Sequence, residues 1–202
     1  AIKGLYVILN THHDNAQPTL FPLQYGQGYY PLNKDIQESE KFIFNVWKQI
    51  AIAFNNGYDH HLIFEGLNEP RTIGMTHEWW YDPNDETCQE SAIVLNEFHK
   101  LIHKAIRETG GNNEKRFILV TGLSAGFDAT MKSPLTFPDD SKYNPVNKKL
   151  MLSVHMYAPY ELVMFPDMEN TKFSEKYRDI LYGNLRDVYK KYVTKGIHVV
   201  DS

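Results

Sequence analysis

Disulfides, basic blocks, long apolar runs and glycine-rich phosphate loops are absent from these 202 residues. The single cysteine, Cys88, excludes an internal disulfide framework and a thiolate metal cluster, and it suits either side of a membrane. The net charge is −4 and basic residues form no long run, which counts against a nucleic-acid partner. No apolar stretch approaches the roughly 20 residues that a membrane-crossing helix needs. Repeats of solenoid period and low-complexity tracts are missing as well. Aromatics, by contrast, are plentiful, with thirteen Tyr, eleven Phe and three Trp. With 42% apolar and 23% charged residues the chain is ordinary globular protein, long enough for one domain or a large part of a bigger one.

Short β-rich runs alternate with longer amphipathic ones. Strands are predicted over Leu5–Asn10, Leu62–Leu67, Arg116–Thr121, Leu150–His155 and Ile197–Val200. Each is almost continuously apolar, as suits a strand buried on both faces of a parallel sheet. In DIQESEKFIFNVWKQIAIAFNN, Ile36, Ile43, Val46, Trp47, Ile50 and Phe54 recur at helical spacing. In ESAIVLNEFHKLIHKAIRETGG, Ile93, Leu95, Phe98, Leu101, Ile102, Ala105 and Ile106 do the same, and Gly110-Gly111 supplies the stop. A third helix is predicted over Ser174–Thr194, ending at Gly196, and a shorter one near Ser124–Lys132. The opening AIKGLYVILN reads as the last turn of a helix, a glycine stop and a strand, without the order of a secretory leader.

Such alternation leaves two architectures, an open doubly wound sheet or a (β/α) barrel. The missing phosphate loop disfavours the first. Polar residues at the C-terminal ends of the strands favour the second, because that end is the catalytic face of a barrel. They are His12 and His13, Asn68 and Glu69, Ser124, and His155 with Tyr157.

Glu69 stands out among them. Pro70 biases it toward extended geometry, so it continues a buried strand and emerges at the sheet's lip beside Asn68. Glu65 is a rival, but at ~3.3 Å per residue it lies about 13 Å deeper, where a structural role fits better. In SVHMYAPY, His155 and Tyr157 are two apart and point to one side of a strand. Adjacent His12 and His13 alternate, so one points inward and the other toward the rim. Trp79 and Trp80 suit either a stacking platform for sugar rings or plain packing of their loop, and Trp47 suits the core. A metal centre is disfavoured: His60 and His61 precede their strand, about 20 Å from His12 by strand rise. His99 and His103 share a helix but lack the glutamate of the HExxH motif.

The motifs NTHHD, FEGLNEPR, TGGNN and HMYAPY, in that order, resemble glycoside hydrolase family 5, most of all its endoglucanases on β-1,4-glucans. The resemblance implies a retaining hydrolase on a (β/α)8 TIM barrel, without cofactor or metal. It matches Glu69 to the general acid/base and Asn68 to the group that binds the sugar 2-hydroxyl. It matches His12 and His155 to histidines lining the cleavage subsite, and Tyr157 to the phenol that touches the nucleophile. The partner implied is a polysaccharide or oligosaccharide, with mannan, xyloglucan and mixed-linkage glucan as alternatives. A polymeric glucan implies secretion. Counted against the family, this chain supplies strands three through seven, so it is expected to be one catalytic domain segment, residues 1–202, incomplete at both ends. The nucleophile is expected as a glutamate next after Ser202, with the remaining strands supplied by the rest of the enzyme or by another chain. A catalytically inactive, glycan-binding barrel is the competing class, and a metal-dependent barrel hydrolase the third.

Overall fold

Five short parallel strands organise the computed structural model, which describes residues 4–12, 28–146, 148–165 and 172–201. They are β1 (Val7–Asn10), β2 (Leu62–Glu65), β3 (Ile118–Gly126), β4 (Leu150–His155) and β5 (His198–Asp201). Each pairs in parallel with the next, in the order β1-β2-β3-β4-β5. A doubly wound sheet reverses its order at a switch point. This sheet advances one strand per crossover, as the wall of a (β/α) barrel does.

The helices are α1 (Ile36–Ala53), α2 (Glu86–Arg107), α3 (Phe127–Lys132), α4 (Tyr160–Met164) and α5 (Glu175–Lys191). Ile43, Trp47 and Ala51 recur every four residues on α1 and are buried. They meet Leu95, Phe98, Ile102 and Ile106 of α2 over Phe64 and Ile118 of the sheet. Each such side chain, fully buried, contributes about 1.5–3 kcal/mol. Trp47 is therefore a core residue, and its indole N–H also donates to the Gly66 carbonyl at 2.8 Å. Only glycine fits at position 66 without disturbance, since a Cβ there would lie 3.1 Å from Ile102 of α2. Asp85 caps α2 by accepting the Cys88 N–H at 2.8 Å. Gly110 and Gly111, with φ of 66° and 59°, end that segment as their sequence position predicts.

Several boundaries differ from expectation. β1 starts at Val7 and β2 stops at Glu65, two residues short in each case. β3 runs on to Gly126 through an irregularity after Thr121, so Ser124 belongs to a strand and the short helix begins at Phe127. α4 has no counterpart in the predicted elements. β1 and β5 are not buried on both faces: they are the edges of the sheet, and Val7 is 53% exposed.

Two buried arginines tie the end of the sheet opposite the candidate catalytic face. Arg116 donates to the carbonyls of Asp59 at 2.9 Å, Leu62 at 2.7 Å and Tyr58 at 2.8 Å, fixing the turn that feeds β2. Arg107 grips Asp140 through two bonds of 2.7 and 3.1 Å and donates to the Asn113 and Arg116 carbonyls. His103 shares Asp140 at 2.7 Å. His99 turns inward and its ring bonds the Thr121 carbonyl at 2.8 Å. Both helical histidines are thereby structural.

Candidate active site

Beyond Glu65 the β2 chain continues through Gly66 and Leu67 to Asn68, Glu69 and Pro70, and its main chain is held at each of the last three. The Asn68 N–H donates to Thr11 O at 3.2 Å, just past the end of β1. The Pro70 carbonyl accepts the Ser124 N–H at 2.6 Å, from β3. The Glu69 carbonyl accepts from the Arg71 guanidinium at 3.0 Å. Ser124 reaches its position only with φ of 52°, and Ala125 follows at 48°. The left-handed region costs a non-glycine residue roughly 1–2 kcal/mol, so the packing around this turn overrides local preference. The turn is tight: a Cβ on Gly122 would stand 2.6 Å from the Thr130 hydroxyl and 2.9 Å from its Cα.

The side chains then converge on one cleft of about 450 Å³. β1 and the residues just past it contribute Ile8, Asn10 and His12 to its lining, and the β2 chain contributes Glu65, Asn68 and Glu69. From β4 and its extension come His155 and Tyr157. His155 is buried at the strand end, and its Nδ1 lies 2.9 Å from Glu69 Oε1. That contact accommodates the proton on either atom. Imidazole N–H donates to a carboxylate, or carboxylic O–H donates to imidazole, so it can hold a transferable proton in place. Asn68 is buried beside it and Tyr157 is half exposed. Glu65 is buried with both oxygens occupied, one by Asn10 Nδ2 at 2.9 Å and the other by the Ser153 hydroxyl at 2.5 Å. This is the structural carboxylate the sequence suggests.

Five of the eight predicted site residues are thus brought together: His12, Asn68, Glu69, His155 and Tyr157. His13 lies outside the described residues. Trp79 and Trp80 are about half exposed on the loop after Arg71 and do not line the cleft. Trp79 is nonetheless linked to it, because the Arg71 guanidinium carbon sits 4.1 Å from the centre of its ring. Arg71, Asn10 and Ser153 were not singled out from the sequence. Arg71 stands next to the NEP motif, a signal that was available; Ser153 reaches Glu65 across 88 residues, and no local pattern encodes that.

Among the described residues two mixed sets bring ligand-type atoms within 4.8 Å of one another: Asp59, His60 and His61, and His77, Asp85 and Cys88. Neither lines the cleft. In the second, burial pushes the Cys88 thiol up, while the Cys88 N–H and His77 hold Asp85 below the usual carboxylate range. A larger cavity, about 500 Å³, lies between Lys48 and Tyr58, and no carboxylate, histidine or cysteine lines it.

Comparison with known proteins places the chain in a family. Endoglucanase 1 of Ruminococcus albus is 36% identical over 201 residues, which cover 98% of this chain and 42% of that protein. A lichenase of glycoside hydrolase family 5 from Caldicellulosiruptor sp. F32, solved as a mutant in complex with cellotetraose, superposes with a TM-score of 0.87. It is 32% identical, and the match covers 99% of this chain and 52% of that one. A xyloglucan-specific endo-β-1,4-glucanase from a metagenomic library, in complex with cellotriose, gives a TM-score of 0.78 at 27% identity, over 100% of this chain and 52% of that one. The chain therefore spans about half the length of these relatives. The family pattern described as Cellulase (glycosyl hydrolase family 5) runs across residues 1–201, and the chain belongs to that family.

Proposed function

We propose that the protein containing this chain is a retaining endo-β-1,4-glucanase in which Glu69 is the general acid/base. The observation that carries the reading is the 2.9 Å contact between Glu69 and buried His155 at the C-terminal ends of β2 and β4. Retaining hydrolysis needs an acid to protonate the departing oxygen and a second carboxylate about 5–5.5 Å away to trap the oxocarbenium-like centre. Asn68, buried beside Glu69, binds the sugar 2-hydroxyl and tightens as charge develops there. His12 lines the same subsite, His13 contributes to sugar binding, and Tyr157 touches the nucleophile. Trp79 and Trp80 stack sugar rings on the rim.

On this reading β5 delivers the nucleophile as a glutamate next after Ser202. Val154 pairs with Asp201, the last residue of β5, one position before His155 on β4. Asp201 itself is engaged, accepting the Met156 N–H at 3.1 Å. Residues 1–202 alone then hydrolyse no glucan. The cello-oligosaccharides bound in the solved relatives support a β-1,4-glucan as substrate, with xyloglucan and mannan as alternatives within the family. Such a polymer lies outside the cell, and extracellular action follows from it; fractionation of the producing culture checks this.

In the complete protein, Glu69→Gln should keep the fold, since it removes charge without changing shape. Hydrolysis of cello-oligosaccharides, whose leaving groups need protonation, should fall by several orders of magnitude. Formation of the intermediate from an activated aryl cellobioside should fall far less. Equal, small losses on both substrates would overturn the assignment, and glycan binding without any hydrolysis by the unaltered protein would favour an inactive, glycan-binding barrel.

A further inference from the structure

The loop that leaves Pro70 contains no helix or strand before α2, yet it carries Trp79 and Trp80. Its two ends are anchored. At the start, Thr72 and Ser91 share a 2.6 Å hydroxyl contact and the Tyr30 hydroxyl donates to Ile73 O at 3.0 Å. At the end, Asp85 caps α2.

Between those anchors one side chain joins three parts of the site. Arg71 donates through Nη1 to the carbonyl of Glu69 at 3.0 Å and through Nε to Glu78 Oε1 at 2.9 Å. Its guanidinium carbon also sits over the Trp79 ring, 4.1 Å from the centre. Glu78 in turn accepts the Gly74 N–H at 2.9 Å on its other oxygen. Arg71 and Glu78 are each about four-fifths buried, whereas Trp79 is 52% exposed. One side of the indole thus rests on the cation and much of the rest faces solvent.

We infer that Arg71 is a positioning residue that couples occupation of the Trp79 platform to the placement of Glu69. This rests on the reading of Glu69 as the acid. A sugar ring stacked on the exposed part of Trp79 strips water from the indole and from the cation beneath it. Desolvation strengthens both the cation–π contact and the Arg71–Glu78 ion pair. A stiffer guanidinium holds the Glu69 carbonyl, and hence the carboxyl on the same residue, more firmly. Binding energy gained away from the scissile bond is thereby spent at the reacting centre, where it raises kcat rather than lowering KM.

The test measures kcat and KM of the complete protein on cello-oligosaccharides of increasing length and on an aryl cellobioside with an activated leaving group. The unaltered protein should show kcat rising once chains are long enough to reach Trp79. Arg71→Met should abolish that rise, lowering kcat on long chains by about 10- to 100-fold, the loss a misplacement near 1 Å produces. Its KM should change little, and the activated substrate, which needs protonation least, should lose little. Arg71→Lys keeps the charge without the fork and should behave like Arg71→Met. Glu78→Gln, isosteric and distant from the chemistry, should reproduce the length effect if Arg71→Met fails to fold. Adding Trp79→Ala to Arg71→Met should lower kcat no further. A raised KM with unchanged kcat at every length would overturn the proposal, as would additive effects of Arg71→Met and Trp79→Ala. Glu69→Gln in the same assays separates the two readings: if it spares unactivated substrates the acid assignment fails, and if it does not, the Arg71 results judge the coupling alone.

Discussion

His155 and Tyr157 are two residues apart and face one cleft, but their surroundings differ. His155 is buried against Glu69, and Tyr157 is half exposed. Removing the imidazole leaves Glu69 without its proton partner, so His155→Ala in the complete protein should cost about 10²-fold or more in activity. The melting temperature should shift little by comparison. If Tyr157 touches the nucleophile as proposed, Tyr157→Phe should instead bear on that group's ionisation and weaken activity most on the acid side of the pH profile. Normal activity in a destabilised folded fraction would make both residues structural after all. At this scale the sequence is informative where chemistry sits at the end of an apolar run. Asn68, Glu69 and His155 follow such runs directly and so announce themselves. Asn10 and Ser153 do not, because each looks like an ordinary polar residue until the fold sets it against Glu65.

Elements were legible where periodicity is strong and their edges were not. The spacing of Ile43, Trp47 and Ala51, and of Leu95, Phe98, Ile102 and Ile106, marks helices because each set forms one face. Nothing local announces that β3 runs on past Thr121, since Ser124 and Ala125 take left-handed angles that side chains normally avoid. That stretch is held by tertiary contacts, above all Gly122 against Thr130 and Ser124 against Pro70. Gly122→Ala should therefore destabilise the protein by about 1–3 kcal/mol through overpacking. It should also lower activity beyond what lost stability explains, because the turn it displaces carries the Ser124 N–H. Equilibrium urea unfolding and kcat on the folded fraction check the two effects separately.

For the molecule as a whole, stability and chemistry occupy opposite ends of the strands. The buried arginines and Asp140 tie one end, and the cleft opens at the other. The His99 ring, on α2 against the sheet, adds a pH dependence. Burial lowers its pKa from the usual 6.5 to about 4. Below pH 6.5 the unfolded chain takes up a proton that the folded chain refuses, so stability should decline as pH falls from 6.5 toward 4. A shift of that size corresponds to at most about 3 kcal/mol. His99→Gln, which keeps a donor toward Thr121, should flatten that part of the curve, as melting temperatures measured across the range would show. An unchanged slope would assign the pH dependence elsewhere. The three ties on Asn68, Glu69 and Pro70 have another bearing, on descent. Every one is made through a peptide group of that stretch, and a peptide group is the part of a residue that point mutation leaves in place. Over long divergence the side chains that wall the cleft are free to drift. The address of the carboxylate is inherited with the backbone.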